Sequence, residues 1–252
     1  MPNAAGWSFL SNTSIPFGIP PPLNRLLATL ARHEFAALRP LLTPVPLAAG
    51  QLLLSPGEAI EHVVFPERGV LTVTADTGAD DAGIEVAMIG PDGMAGTASL
   101  LGPHVTAFHQ IRVQVPGTAL RMPAEAFRRH LETVPAFRGQ CLTYAEAFFA
   151  QASQTGACGG RHRVAERCAA WLLRMHDRTD GPDLPLTHEA IAAALGVRRA
   201  GVTVAMGELQ DAGLVRSGKG HTTVLDQAGL EDAACGCYRL VRDRCDALFR
   251  CN

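Results

Sequence analysis

Two adjacent arginines and a single lysine are the side chains of this protein best suited to contact a nucleic acid. Arg198 and Arg199 open a short segment with helical apolar spacing, and Lys219, the only lysine in the sequence, lies between two glycines. An arginine can donate two hydrogen bonds to O6 and N7 of guanine, and a lysine can neutralise a phosphate. These residue types point to recognition of a double helix if the fold presents them on its surface.

The two arginines must be positioned by the segment that surrounds them, which predicts two short helices joined by a tight turn. Thr187 can cap the first helix, and Gly196 stands where the backbone must turn sharply with positive φ. Such a helix-turn-helix can insert the start of its second helix into a major groove. The alternative is a pair of ordinary helices in a bundle. Apolar residues recur at the spacing that buries one side of each helix: Leu186, Ile191, Leu195, Val202, Met206 and Leu209.

The residues that follow the second helix predict a wing. After Leu214 and Val215, the run Gly218-Lys219-Gly220 is typical of a hairpin tip, and Thr223, Val224 and Leu225 then alternate as in a strand. This pattern favours a winged helix-turn-helix over a helical bundle. The candidate DNA-contacting residues are Thr187, Arg198, Arg199, Ala200, Thr203, Lys219 and His221.

The N-terminal half has a different texture. Residues 24–42 predict one or two short helices, and a further short helix begins near Pro123. Between Val45 and Met122, short apolar runs alternate with Gly, Pro and Asp turns about every ten residues, which predicts an antiparallel sandwich or barrel. The fold class is therefore α+β, with a jelly-roll-like antiparallel β-roll over residues 24–134. Residues 1–23 predict a disordered tail.

A long helix is predicted over residues 135–160. Phe137, Cys141, Tyr144 and Phe148 are spaced four, three and four along it, which is a heptad-like seam. We expect this seam to form a homodimer interface, and the alternative is that the helix packs on its own sheet. A winged helix-turn-helix domain, beginning with a further helix over residues 163–178, is expected over 161–228. A C-terminal helix is expected over 229–252.

Composition limits the class of protein. The 252 residues suffice for two domains, and the net charge of −2 requires any DNA contact to come from a local patch. Between Arg161 and His221 there are nine Lys or Arg residues and seven Asp or Glu residues. No segment approaches the roughly 20 apolar residues of a membrane span. The proline-broken N-terminus does not resemble a signal peptide, and seven cysteines without one predict reduced thiols in the cytoplasm.

The cysteines and histidines leave a second sensor hypothesis open. Cys235, Cys237, Cys245 and Cys251 could bind zinc or an iron–sulfur cluster, but their spacing fits no common motif. Buried or free thiols are favoured, and no metal site is predicted. The histidines of the roll leave a haem or another ligand open without selecting one, so the cofactor is unknown: His62, His104 and His109.

An enzyme finds little support in the sequence. It contains no G-x-S-x-G, P-loop, H-E-x-x-H or nucleotide-binding G-x-G-x-x-G motif. A third class is a ligand-binding or scaffold protein whose helix-turn-helix has lost its DNA role. The two arginines and the lysine argue against this class. The alternative to a DNA-reading protein is a ligand- or redox-sensing protein with a weakened DNA-reading role.

The order of β-roll, seam helix and winged helix-turn-helix resembles the Crp/Fnr family of bacterial transcription regulators. The resemblance covers roughly residues 24–225 and is strongest in the family pattern TxxEIAxxLGxxRxxVTxxxxxLxxxGLV. It implies a homodimer that reads a two-fold site on double-stranded DNA and controls transcription, with the roll over residues 24–134 as the sensor domain. It also implies an unidentified small-molecule effector and, as a further partner, RNA polymerase. The matching residues are Thr187, Ile191, Ala192, Leu195, Gly196, Arg199, Val202, Leu209, Gly213 and Leu214.

Two departures from the family pattern bear on function. Arg199 matches the arginine that reads guanine, but Ala200 replaces the glutamate that often follows, and Val204 replaces a second base-reading arginine. Arg198 and Thr203 are expected to take over part of the readout.

In the roll, Thr97 stands where cyclic-nucleotide-binding members place a glutamate, and Val105 lies near their arginine position. A buried phosphate needs a compensating cation or several aimed N–H groups, so we expect no binding of cyclic AMP. The candidate effector pocket comprises Gly96, Thr97, Val105 and Arg112.

Overall fold

The computed structural model describes residues 21–78 and 83–249. Most of the predicted N-terminal tail, and Cys251, lie outside these ranges. Within them, no single helix is long and apolar enough to cross a membrane. The two helices of the predicted helix-turn-helix together meet the requirement by length and composition, but they are bent relative to each other by 112°.

Two long antiparallel strands organise the N-terminal half. β3 (His62–Ala75) and β5 (Gln110–Pro123) pair along their length, and the sheet order is β1-β5-β3-β4 with β2 also paired to β5. β1 is Thr43–Leu47, β2 is Leu52–Leu54 and β4 is Ile84–Ile89. All of these pairs are antiparallel, as the predicted β-roll requires. The fold class is confirmed.

The long strands differ from the series of short strands that the sequence predicted. The pairing of β3 with β5 shifts register between Pro66 and Leu71, so both strands bend without ending. Gly69, at φ +87°, is required here because a Cβ atom would lie 2.5 Å from the carbonyl oxygen of Val115. Glycine and proline at this bend therefore mark a bulge and not a loop between two strands.

Short helices pack beside the roll, as predicted. α1 (Arg25–Ala28) and α2 (Arg32–Leu38) precede the sheet, and α3 (Ala124–Thr133) follows it. Asn24 caps α1 with its side-chain oxygen, and its amide nitrogen donates to the carbonyl oxygens of Pro66 and Gly93. The entry to the roll is thus fixed by a buried polar side chain whose hydrogen bonds are satisfied.

The seam of the long helix α4 (Pro135–Arg161), which was predicted to form the dimer interface, is covered by its own chain instead. Phe137, Cys141 and Tyr144 are buried inside their own chain, and the half-buried Phe148 packs beside them. The Tyr144 hydroxyl donates to the carbonyl oxygen of Met94 at 3.1 Å. The four-three-four spacing identified a buried face correctly but assigned it to the wrong neighbour, because the spacing does not say what covers the face.

The winged helix-turn-helix follows α4. It consists of α5 (Val164–His176), α6 (His188–Leu195), α7 (Arg199–Asp211) and a small antiparallel sheet. The strands of that sheet are β6 (Asp183–Leu184), β7 (Val215–Ser217) and β8 (Thr222–Val224). Leu225, predicted to continue the last strand, lies beyond it. The six apolar residues predicted to support the unit are all buried: Leu186, Ile191, Leu195, Val202, Met206 and Leu209.

The C-terminal segment also differs from the prediction of a single helix over 229–252. It forms α8 (Gln227–Ala233) and α9 (Cys237–Ala247). Ala234 adopts an extended conformation with ψ 151°, which ends α8 and redirects the backbone. α9 then packs against α4 and α5, with Tyr238 and Val241 buried.

Candidate nucleic-acid interface

The helix-turn-helix has the geometry needed to present the first turn of α7. α6 and α7 are bent by 112° relative to each other, within the range typical of this motif. Thr187 accepts a hydrogen bond from the Ala190 amide at 3.1 Å and so caps α6. Gly196 adopts φ +62°, and its amide returns to the end of α6. The turn follows directly from residues identified in the sequence.

The two arginines lie on the surface at the start of α7. Arg198 is the N-cap residue and Arg199 the first helical residue, and both are exposed. The Arg199 Nε atom lies 3.8 Å from Glu189 Oε2, with about seven-tenths of each side chain exposed. An exposed ion pair of this kind is weak. Arg199 is therefore available to a ligand at little cost.

The next turn of α7 continues this exposed face. Ala200 and Val204 point outward, and 64% of the Val204 surface is exposed. The Thr203 hydroxyl donates to the Arg199 carbonyl oxygen at 3.1 Å and lies 3.3 Å from His188 Nδ1. The predicted face is thus part basic, part small and part apolar, and the Thr203 hydroxyl already has partners within the chain.

The wing carries further basic residues beside the helix-turn-helix. Lys219 and His221 are exposed at the β7–β8 turn, as predicted for a wing tip. The His221 ring covers Gly218, where a Cβ atom would lie 2.3 Å from it. Arg216 on β7 is also exposed, although it was not among the predicted DNA-contacting residues. Its position after the buried Val215 was the available signal, since strand side chains alternate between faces.

A cavity of about 340 Å³ lies between the roll and α4. Gly96 and Thr97 line it as predicted, whereas Val105 and Arg112 are not among its walls. Arg112 is exposed and donates from Nη1 to the carbonyl oxygen of Gly50 at 2.7 Å. Among the described residues that line the cavity, none is Asp, Glu, Lys or Arg. Burial lowers the pKa of His109, the titratable group in this wall.

The helix-turn-helix half contacts the roll through α5, the residues just after it, and α6. Trp171 Nε1 donates to Glu85 Oε1 at 2.9 Å, and Arg178 pairs with Asp92 at 2.7 Å. Glu85 and Trp171 are buried, and the second oxygen of Glu85 is buried without a hydrogen-bond partner. Burial raises the pKa of Glu85 to about 7, although the nearby Arg174 guanidinium opposes this shift. This contact was not predicted from the sequence, because its residues are far apart along the chain.

Three thiols meet where α4, α8 and α9 approach one another. The Sγ atoms of Cys158, Cys235 and Cys237 all lie within 4.8 Å of one another. Hydrogen bonding between Cys158 and Cys235 raises the pKa of the Cys158 thiol and lowers that of Cys235 to about 6. Cys235, Cys237 and Cys245 were considered together as possible metal ligands from the sequence. Cys245 instead lies further along α9, beside Asp92 and Arg178.

Comparison with known proteins supports the same architecture. A model of the Crp-like helix-turn-helix domain matches residues 166–233, and a model of the cyclic nucleotide-binding domain matches residues 44–134. The transcriptional regulator SdrP of Thermus thermophilus is 38% identical over 78 residues, which are 29% of this chain and 39% of that protein. The match therefore spans less than half of that relative.

Solved structures extend the likeness to most of the chain. The structure of FixK2 from Bradyrhizobium japonicum has a TM-score of 0.65 at 15% identity and covers 77% of this chain and 98% of that one. A Crp/Fnr-family transcriptional regulator from Thermus thermophilus has a TM-score of 0.58 at 25% identity. That match covers 76% of this chain and 98% of the regulator. The order and packing of the two halves are thus a known arrangement.

The buried carboxyl at the junction predicts a pH dependence of stability. The pKa of Glu85 rises from 4.5 to about 7 on folding, so the folded protein binds the proton more tightly than the unfolded chain does. Its contribution to the free energy of unfolding is therefore lost as the pH rises through this window, by up to about 3 kcal/mol. In urea unfolding at pH 5 and pH 7.5, we expect Glu85→Gln to gain stability relative to the wild type at the higher pH.

The exposed Glu132→Gln on α3 serves as the matched control and should show no comparable pH-dependent difference. An equal difference between the wild type and Glu85→Gln at both pH values would contradict the prediction.

Proposed function

Because this chain belongs to the Crp/Fnr family of transcriptional regulators, we propose that two copies of it bind a two-fold site on double-stranded DNA and regulate transcription there. The observation that carries the proposal is the exposure of Arg198 and Arg199 at the first turn of α7. In a two-fold dimer the two such helices enter successive major grooves about one helical turn apart. The proposed place of action is the cytoplasm, where RNA polymerase would be a further partner.

The proposed readout follows from the chemistry of the exposed face. Arg199 would pair with a guanine, and the apolar Val204 side chain would contact the methyl group of a thymine. Lys219 at the wing tip would neutralise a phosphate and position the domain without reading sequence. Base reading and phosphate binding are thus assigned to different residues, which makes the two roles separable by mutation.

Replacement of Arg199 by alanine should relax specificity at one base pair. We expect a loss of about 1–3 kcal/mol on the preferred operator and little change on operators already altered at that position. Lys219→Ala is the matched control, and it should weaken binding to all sequences about equally while reducing the salt slope by about 1. The measurement is an electrophoretic shift series at several salt concentrations, with operators selected from genomic fragments.

Equal loss on every operator for Arg199→Ala would show that this side chain only neutralises phosphate. Absence of salt-dependent DNA binding by the wild-type protein would favour the alternative of a ligand- or redox-sensing protein without a DNA role.

The proposed dimer uses a second face of α4, which lies beside the face that packs on the roll and borders the cavity. This stripe is exposed or half-buried, and it includes two large apolar residues that are 48% and 72% exposed, Leu142 and Phe149. The intervening small residues would let a second helix approach closely. The helix of 27 residues is about 40 Å long, enough for several heptads. The stripe follows three-four spacing: Leu142, Ala145, Phe149, Ala152 and Gly156.

Placing a charge in this stripe should separate the two copies. Phe149→Asp is expected to shift the mass measured by sedimentation equilibrium from twice the chain mass of 26.7 kDa towards a single chain. The matched control is Leu240→Asp on α9, because Leu240 is also a large exposed apolar residue, at 63%. A dimer that survives Phe149→Asp, or a wild-type protein that is monomeric at micromolar concentration, would refute the proposed interface.

The effector proposed for the cavity is a small, uncharged and largely apolar molecule. The described walls of the cavity offer no permanent cation to a phosphate. Leu142 and Phe149 belong both to the cavity wall and to the proposed dimer stripe. An occupant would therefore act on the surface where the second copy docks.

Cyclic AMP should give no saturable heat in a calorimetric titration of the wild-type protein. The physical reason is the cost of burying its phosphate without a cation. The neutral apolar dye Nile red should instead bind with increased fluorescence, and Ala98→Trp, which fills part of the cavity, should reduce that signal. A micromolar response to cyclic AMP that Ala98→Trp abolishes would overturn the proposal for this pocket.

A further inference from the structure

Three cysteines from distant parts of the chain converge on one point. Cys158 lies in the last turn of α4, Cys235 lies between α8 and α9, and Cys237 is the first residue of α9. Their three Sγ atoms lie within 4.8 Å of one another, and the Cys158 and Cys235 sulfurs are 3.5 Å apart. The three residues are at most 9% exposed. A convergent group of soft donor atoms, largely shielded from water, needs an explanation beyond apolar packing.

The separations between the sulfurs suit one shared ion. A thiolate sulfur lies about 2.3 Å from a bound zinc ion, so thiolates sharing the ion are roughly 4 Å apart. The observed separations are close to this value. A disulfide requires a much shorter distance of about 2.05 Å between sulfurs. Donors this close together converge on a single atom and not on the corners of a polynuclear cluster.

We propose that Cys158, Cys235 and Cys237 bind one thiophilic metal ion, such as Zn²⁺ or Cu⁺, through three thiolate sulfurs. Binding transfers the thiol protons to the solvent and needs no oxidant or reductant, because the metal keeps its charge. The Gln154 side-chain amide donates to Cys237 Sγ at 3.1 Å, which is the kind of outer hydrogen bond that orients a ligand sulfur. Cys158 and Cys237 also line a cavity of about 290 Å³, which offers the ion a path inward.

The position of the site gives it a mechanical consequence. α4 ends at Arg161 and α5 begins at Val164, so only two residues separate the long helix from the DNA-binding half. A metal ion held by both Cys158 and Cys237 would fasten the end of α4 to α9, which itself packs on α5. The ion would thereby restrain the direction in which the DNA-binding half leaves α4.

The test uses the full chain, purified with a reductant and a chelator and then freed of both under anaerobic conditions. Titration with Co²⁺ should produce thiolate-to-cobalt charge-transfer absorption that saturates at one ion per chain and is abolished by Zn²⁺. Competition with a chromophoric chelator then gives the Zn²⁺ affinity, and a parallel titration with Cu⁺ decides between the two ions. Each of the variants Cys158→Ser, Cys235→Ser and Cys237→Ser should weaken metal binding by more than about tenfold.

Matched controls are Cys168→Ala and Cys245→Ala, which alter cysteines outside the cluster and should leave the affinity unchanged. A second measurement avoids variants that fail to fold. In the wild-type protein, Zn²⁺ should protect Cys158, Cys235 and Cys237 from alkylation, as mapped by peptide mass spectrometry, without protecting Cys245.

Several results would overturn the proposal. These are a stoichiometry well below one ion, equal loss of affinity in the control variants, or protection of no cluster cysteine. Formation of a Cys158–Cys235 disulfide in air, together with absent metal binding under anaerobic conditions, would assign the cluster to redox chemistry instead. None of these measurements involves DNA, so their outcome is independent of the function proposed above.

Discussion

A pair of buried polar contacts sets how the DNA-binding half sits on the roll. Trp171 on α5 donates to Glu85 on β4, and Arg178, two residues beyond the end of α5, pairs with Asp92 in the turn after β4. Separating Arg178 from Asp92 leaves a largely buried charge without a partner, which is strongly destabilising. α6 also packs against β4. The direction of α7, and with it the placement of the exposed arginines, depends on these contacts.

The long helix α4 connects this junction to the other parts of the molecule. One face packs on the roll through Phe137 and its neighbours, and an adjacent face carries the exposed Phe149. On the packed face, the buried Gln151 side chain exchanges two hydrogen bonds with the backbone of Met88 on β4. The same strand carries Glu85. A change in the position of β4 would consequently reach both α4 and α5 through polar contacts that tolerate little displacement.

The sequence predicted what is determined locally and missed what is determined across the chain. The helix-turn-helix was readable because its cap, its Gly196 turn and its apolar spacing all lie within about thirty residues. The surface that covers the α4 seam could not be predicted from the sequence, because heptad spacing specifies a buried face without specifying its partner. The thiol cluster was missed for a related reason: Cys158 is 77 residues from Cys235. The bends in β3 and β5 were read as strand ends, since Gly69 interrupts the alternation.

The two inputs proposed for the molecule would act at different places on the same helix. The cavity in the roll is walled by the middle turns of α4, where Leu142 and Phe149 also form the proposed dimer stripe. The thiol cluster lies at the last turn, through Cys158, next to the short connection that leads into α5. An effector in the cavity would thus change how two copies pair, whereas a metal ion at the thiols would change how one copy directs its own DNA-binding half. The first input requires a dimer, and the second would operate in a single chain.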